Sequence, residues 1–390
     1  MTTPLLLDLG PLSCGCTDAA LEALYKALGD PPDPEGIWEP HPDPWIRAHV
    51  EDVTQRGQRL LQAMQDTLLG NLGFAEPAPL AKALPWQRWD AAEFDRIKEH
   101  LNRIPAAEKS LDDWMLAVDW IIQRYLDDGI IQTEAEYLAI RAQLAGQVRA
   151  NLEHRPPPWT ERQLPLLVAA LPAHFRDLPP EALTPRERHI LTFAVQETAQ
   201  HITHLRDAAR DRMKQTLLDG LRKMTLGDRD GAWNRLQQTL LDEFGTLNRD
   251  WRRIAITETG NATNAGYIAS LTPGTQVRRE EAYSGACPYC QSIRGRVLTV
   301  VSDAKEPKDW DTEVWPSKNN LGRSASPRKR VGNTLVRRED HELWKIPAGL
   351  VHPHCRGSWS PVTPRPPAVS NDYQMWLRGL LHDAGLPASS

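Results

Sequence analysis

The sequence predicts an α+β fold, with a mainly helical N-terminal region followed by a helix-rich domain that carries a small β element. Three observations lead there. Apolar residues recur at helical spacing through most of residues 46–265. After Thr272-Pro273-Gly274 the pattern turns short, alternating and β-branched. A C-x-x-C pair in that last stretch is matched by an H-x-x-C far downstream. With 390 residues, 25% charged and 41% hydrophobic, the chain has room for two or three domains and a core that needs no disulfide framework.

The elements follow in order. The first 45 residues read as irregular, because Asp30-Pro31-Pro32-Asp33-Pro34 and His41-Pro42-Asp43-Pro44 cannot continue a helix. From Ile46, the residues Val50, Val53, Leu60, Met64 and Leu68 mark a first helix, ended by a proline-rich break from Pro77 to Pro85. Ser110 and Asp113 form a capping pair before Leu111, Trp114, Val118, Ile121 and Tyr125, and Asp128-Gly129 reads as the stop. Thr133 and Glu136 form a second capping box, and that helix ends before Pro156-Pro157-Pro158. The clearest boundary lies at Pro179-Pro180 and divides a region 1–183 from a domain 184–360. Thr184-Pro185-Arg186-Glu187 then opens a long helix that runs to about Met224 and stops at Gly227. Two further helices are expected, one from Asp230 to Gly245 and one carrying Trp251, Ile254, Glu258, Ala262 and Ala265. Gln276–Tyr283 and Arg296–Val301 read as strands, and residues 302–347 as a polar loop. Pro361–Pro367 reads as a stiff linker in a tail, 361–390, that ends in an amphipathic helix.

Composition and charge exclude several classes. The longest apolar run, Leu164–Pro172, is far short of the ~20 residues of a spanning helix. Asp8 interrupts Leu5–Leu7 and no basic residue precedes Lys26, so no secretory signal is expected, and the chain reads as made and kept in a cytoplasm. Net charge is −11 over residues 1–180 and +6 over residues 181–390, which points the C-terminal half toward an acidic partner. No P-loop, G-x-S-x-G or G-x-G-x-x-G occurs.

Cys287-x-x-Cys290 and His352-Pro353-His354-Cys355 carry the strongest chemical signal. In a reducing compartment such a pair, far from any βαβ pattern, reads as metal-binding before disulfide. Zinc takes four thiolate or imidazole ligands in a tetrahedron. Cys287, Cys290 and Cys355 with one histidine complete such a set, closed and structural, across the 61 residues between 290 and 352. His352 is preferred over His354, because a turn places positions i and i+3 on one side. Three signals are weaker. Cys14-Gly15-Cys16 has no partners nearby. Glu197, His201 and His204 share a helical face and read as an exposed polar stripe. Arg252, Arg253, Thr257 and Glu258 lie on one turn without a second carboxylate for catalysis.

Two surface features complete the reading. Lys318, Arg323, Arg328, Lys329 and Arg330 form a basic cluster in the expected loop, suited to phosphates without reading sequence. Tyr373, Trp376, Leu377 and Leu380 lie on one face of the terminal helix. That face suits docking on a partner, and equally packing on its own domain.

In order along the chain come Arg253-Ile254-Ala255-Ile256-Thr257-Glu258-Thr259, Asn264-Ala265-Gly266-Tyr267, Cys287-Pro288-Tyr289-Cys290, Gly295 and His352-Pro353-His354-Cys355-Arg356. This stretch, within residues 190–360, resembles the tailed-phage minor head proteins with a Mu F-like head-morphogenesis domain. That family usually closes on H-P-x-C-R-C. Gly357 stands here in place of the last cysteine, which makes a histidine ligand more necessary. The resemblance implies a minor, non-enzymatic structural component of the phage head. Such a protein associates with the portal protein and other head proteins, meets viral DNA, assists head assembly or DNA packaging and delivery, and resides in the head interior after assembly in the host cytoplasm. The competing expectation is a zinc-dependent nuclease or toxin-like effector on the same domain, with His354 free of the metal. A plain DNA-binding module is the third.

Overall fold

A computed structural model describes residues 36–73, 89–105, 108–152, 160–225, 229–283, 285–362 and 370–387. Its helices begin where the sequence supplies caps. α1 (Pro44–Leu72) opens on Asp43, whose side chain accepts from the N–H groups of Trp45 and Ile46, and closes on Gly73 in the left-handed region. α2 (Ala91–Arg103) opens on Asp90, and α3 (Leu111–Tyr125) opens on the Ser110–Asp113 box. α4 (Asp128–Leu152) starts earlier than its sequence predicts. The N–H of Ile130 donates to Asp127 at 2.7 Å, while the Thr133 hydroxyl turns inward to the carbonyl of Gly129. The aspartate cap wins over the Thr133–Glu136 box, so Asp128-Gly129 is a first turn and not a stop.

After the short α5 (Leu164–Ala170), the expected Thr184–Glu187 box starts α6 (Pro185–Thr225). The stop expected at Gly227 lies outside the described residues. α7 (Arg229–Ser270) replaces the two helices expected on either side of Gly245. A Cβ at Gly245 would meet nothing within 4 Å. The cost of one interior glycine, about 1 kcal/mol, is small beside the packing of α7 on α4, α6 and α1.

The α4–α7 crossing is set by missing side chains. A Cβ on Gly146 would lie 2.0 Å from the carbonyl oxygen of Thr263, and one on Gly266 would lie 2.2 Å from that of Gln143. Each helix thus rests backbone against backbone on the other, at a distance only glycine permits. Trp251 on α7 covers Gly57 of α1 and donates its indole N–H to the carbonyl of Val53 at 3.0 Å. One apolar core runs from Leu61 through α2–α6 to Trp251. The boundary at residue 183 therefore does not separate two cores, since α6 and much of α7 share theirs with the helices before it.

A second core forms around the sheet and takes in Tyr267 and Ile268 from the end of α7. The sheet has strand order β3-β2-β1-β6. β1 (Gln276–Glu280) runs antiparallel to β2 (Val297–Val300) and to β6 (Ser358–Pro361), and β2 runs parallel to β3 (Glu313–Val314). α8 (Pro288–Ile293) is a single turn between β1 and β2. The expected loop 302–347 also contains a separate hairpin of β4 (Arg328–Val331) and β5 (Thr334–Arg337), joined through Gly332 at φ +60. Arg149 ties the two cores together, donating to Asp43 at 2.6 Å and to the carbonyl of Trp359 at 2.7 Å.

The terminal helix α9 (Asn371–Asp383) docks on its own chain, against α5 and the turn at 180–182. Tyr373, Leu377 and Leu380 are buried in the helical core, and Trp376 packs partly buried beside them. The partner face read from the sequence is thus already occupied, because the same apolar stripe serves internal packing. Among the described residues no helix is long and apolar enough to cross a membrane.

Two predictions follow from this packing. Gly146→Leu should lower stability by roughly 3 kcal/mol or more, read from the urea midpoint, because backbone cannot yield to a new side chain. Gly245→Ala should raise it by about 0.5–1 kcal/mol. The second concerns His49, buried on α1 with Nε2 2.9 Å from the carbonyl of Leu138. Burial holds its pKa down to about 4, against 6.5 for a free imidazole. A depressed folded-state pKa means that its contribution is complete above pH 6.5 and is lost as pH falls toward 4. Native stability should decline through that window, and His49→Gln should flatten the decline by up to roughly 3 kcal/mol.

Candidate metal centre

The centre is assembled from two turns. In the first, Cys287 caps α8, with Pro288 at the first helical position. Its sulfur accepts from the N–H of Cys290 at 3.5 Å, so both thiols face one side of the turn. In the second, the 350–357 segment is held by a polar stripe on α7. Thr257 Oγ1 accepts from the N–H of His354 at 3.1 Å, and Asn261 Oδ1 from the N–H of Leu350 at 2.8 Å. Asn264 Nδ2 donates to the carbonyl of Gly357 at 2.8 Å. Positions 257, 261 and 264 recur at helical spacing, so one face of α7 fixes the segment that carries His352 and Cys355.

The four donors expected from the sequence come together. His352 Nε2 lies 3.4 Å from Cys287 Sγ and 3.3 Å from Cys290 Sγ, and Cys290 Sγ lies 3.7 Å from Cys355 Sγ. A tetrahedral zinc with bonds of about 2.3 Å to sulfur and 2.0 Å to nitrogen separates its ligands by roughly 3.5–3.8 Å. The sulfurs are too far apart for a disulfide, which needs about 2.05 Å. His352 Nδ1 donates to the carbonyl of Pro353 at 2.6 Å, leaving the lone pair on Nε2 to face the sulfurs. Trp344 stacks on the ring at 5.3 Å. His354 takes the left-handed conformation, φ +66, and its pKa is driven down to about 3 by burial and by Arg253. Of the two histidines it is His352 that faces the cluster.

Arg279 and Glu281, which the sequence reading missed, form the inner wall. Both are fully buried and joined at 2.8 Å, and they share a face because they stand two apart at the end of β1. The Glu281 oxygens lie 3.5 and 3.6 Å from Cys355 Sγ, while Arg279 Nη2 at 3.9 Å and Tyr283 OH at 3.6 Å point donors at that sulfur. Gly357 is required here, because a Cβ would sit 2.1 Å from Glu281 Oε1. Glu281 joins Cys290 and Cys355 in a second triad that overlaps the first, Cys287–Cys290–His352.

Charge on the sulfurs is stabilised unevenly. Hydrogen bonding with Cys290 pulls the Cys287 thiol down to about 3 against the effect of burial. Burial opposes ionisation of Cys355, yet the hydrogen bond from Cys290 and the charge of Arg279 bring it well below the usual thiol range. Cys290, which supplies those bonds, is pushed up. Burial raises Glu281 to about 7. Burial lowers the His352 pKa, but Cys287 and Cys355 outweigh it and carry it to about 9. The donor set is compatible with a metal ion.

The other residues singled out by the sequence are sorted differently. Lys318 is 2% exposed and donates to the carbonyls of Trp310 at 2.6 Å and Glu313 at 2.7 Å, so it is an internal strut and not a phosphate contact. Arg323 lies over the Trp310 ring at 4.2 Å and donates to the carbonyl of Leu343. Lys329 is ion-paired with Glu342. Arg328 and Arg330 remain exposed, on a strand and not in a loop. His204 is exposed as expected, while His201, its side chain 42% exposed, pairs at 2.9 Å with the buried Glu258 of α7, and Thr198 reaches the same carboxylate. Arg252 is buried by Thr54 and Glu51 of α1. Cys14 and Cys16 lie outside the described residues.

Purified under reducing conditions, the protein should carry about one zinc per chain by elemental analysis. Cys290→Ser should abolish that content and His354→Ala should leave it intact. Chelation should lower the melting temperature of the wild type and leave that of Cys290→Ser unchanged.

Comparison with family models, curated proteins and solved structures finds no match for this chain.

Proposed function

We propose that the protein is a minor structural component of a tailed-phage head that associates with the portal and assists head assembly or DNA packaging and delivery, with its C-terminal unit stapled by zinc. One observation carries this reading. The stretch whose ordered motifs resemble the Mu F-like head-morphogenesis domain behaves as one physical unit. Its α7 segment, residues 253–267, presents Thr257, Asn261 and Asn264 to the closing 350–357 segment, and the Cys287–Cys290 turn meets His352 and Cys355 on the far side. Motifs that could be unrelated in sequence thus serve one closure.

A structural role suits that closure. The candidate ligands cluster as two overlapping triads that share the buried Cys290, an enclosed arrangement that suits a structural ion. The enzymatic alternative needs a histidine beside a carboxylate in an accessible cleft. His354 instead turns its backbone into α7, among the cations Arg253 and Arg356. The long helices α6 and α7 offer an extended, rigid scaffold for contact with an oligomeric partner.

Co-expression with the cognate portal, scaffolding and major capsid proteins tests the reading. The chain should co-sediment with procapsids in few copies and be retained by immobilised portal. Its absence from procapsids and from portal eluates would overturn it.

A further inference from the structure

The basic cluster of the sequence resolves into two faces of the β4–β5 hairpin. The register pairs Arg328 with Arg337, Lys329 with Val336, Arg330 with Leu335 and Val331 with Thr334. Directly paired residues share a face, and neighbours along a strand alternate. One face therefore holds Lys329 and Val336, and Arg338 follows on the same side. It leans on Glu342, which pairs with both Lys329 and Arg338. The opposite face holds Arg328, Arg330, Arg337 and Leu335, all exposed, with Leu335 at 61%. Among the described residues none of these three guanidinium groups takes part in an ion pair, although Glu339 and Asp340 follow directly after β5.

This face is electrostatically unbalanced. Arg328 stands opposite Arg337, an arrangement that destabilises a strand pair, in a ribbon of two strands that has little stability to spare. The residues with an internal role are those tied to Glu342 or to the Trp310 cage, and what is left over is a row of arginines alone. Guanidinium groups bind phosphate through paired, parallel hydrogen bonds. A two-stranded ribbon has the width to follow a nucleic-acid groove.

We propose that the Arg328–Arg330–Arg337 face of the hairpin is a phosphate-backbone contact for nucleic acid, independent of sequence. Lys318, Arg323 and Lys329 take no part, because their charges are spent within the fold. The proposal rests on the hairpin alone, goes beyond the head-protein reading, and stands or falls separately from it.

Binding of a fluorescent 30-base-pair duplex to the full-length protein tests it across a salt series. The wild type should bind with a steep salt dependence. Arg328→Gln/Arg330→Gln/Arg337→Gln should weaken binding at least about tenfold at low salt and reduce the slope of log K against log salt by roughly 2–3, about 0.9 for each lost phosphate contact. Lys329→Gln/Arg338→Gln should leave the slope unchanged. Circular dichroism and a melting temperature equal to wild type establish that the variants are folded. A wild type that does not bind the duplex, or a triple variant with an unchanged slope, would overturn the proposal. So would tighter binding of a poly-glutamate peptide than of DNA, which would make the face a protein-docking surface.

Discussion

The C-terminal unit depends on one helix offering hydrogen bonds to a segment that has no secondary structure of its own. Residues 350–357 form neither helix nor sheet until β6, so their backbone groups must find partners elsewhere. Thr257, Asn261 and Asn264 supply them from a single face of α7. Without that stripe, His352 and Cys355 would have no fixed approach to the Cys287–Cys290 turn. The position of α7 in turn rests on Gly146 and Gly266, whose backbones touch across the α4 crossing. A chain of close contacts thus runs from the helical body to the sulfur cluster.

Burial of charge is the second theme. Arg149, Arg252 and Arg279 are all nearly inaccessible, and each reaches a carboxylate together with backbone or hydroxyl partners. Ionic groups removed from water are tolerated when their hydrogen bonds are complete, and breaking such a set costs more than forming it gains. Arg149 and Arg252 fasten the N-terminal residues 36–54 to the rest of the molecule. Arg279 pairs with Glu281 beside the sulfur cluster. In these cases buried arginines are the rivets of the interior.

The basic stretch 318–338 shows how far local reading reaches. Its composition marks it as a basic surface, and part of it is one. Nothing in the order of residues tells Lys318, enclosed by Trp310 and Trp315, from Arg330, which faces solvent. The distinction depends on which side of a strand each residue takes and on Glu342 arriving from another turn. The amphipathic terminal helix posed the same ambiguity, because an apolar face reads alike whether it covers its own core or a partner's.

Fold class, the starts of α1, α3 and α6, the strands β1 and β2 and the candidate metal donors were legible in the sequence, because each rests on short-range chemistry: caps within three residues, alternation within a strand, a thiol pair set by one turn. The continuity of α7 through Gly245, the early start of α4, the merging of α6 and α7 into the N-terminal core, and the wall of Arg279 and Glu281 around the sulfurs were decided by tertiary structure. In those cases contacts between residues far apart in the chain outweighed local preferences of about 1 kcal/mol, and no pattern within a single segment records them.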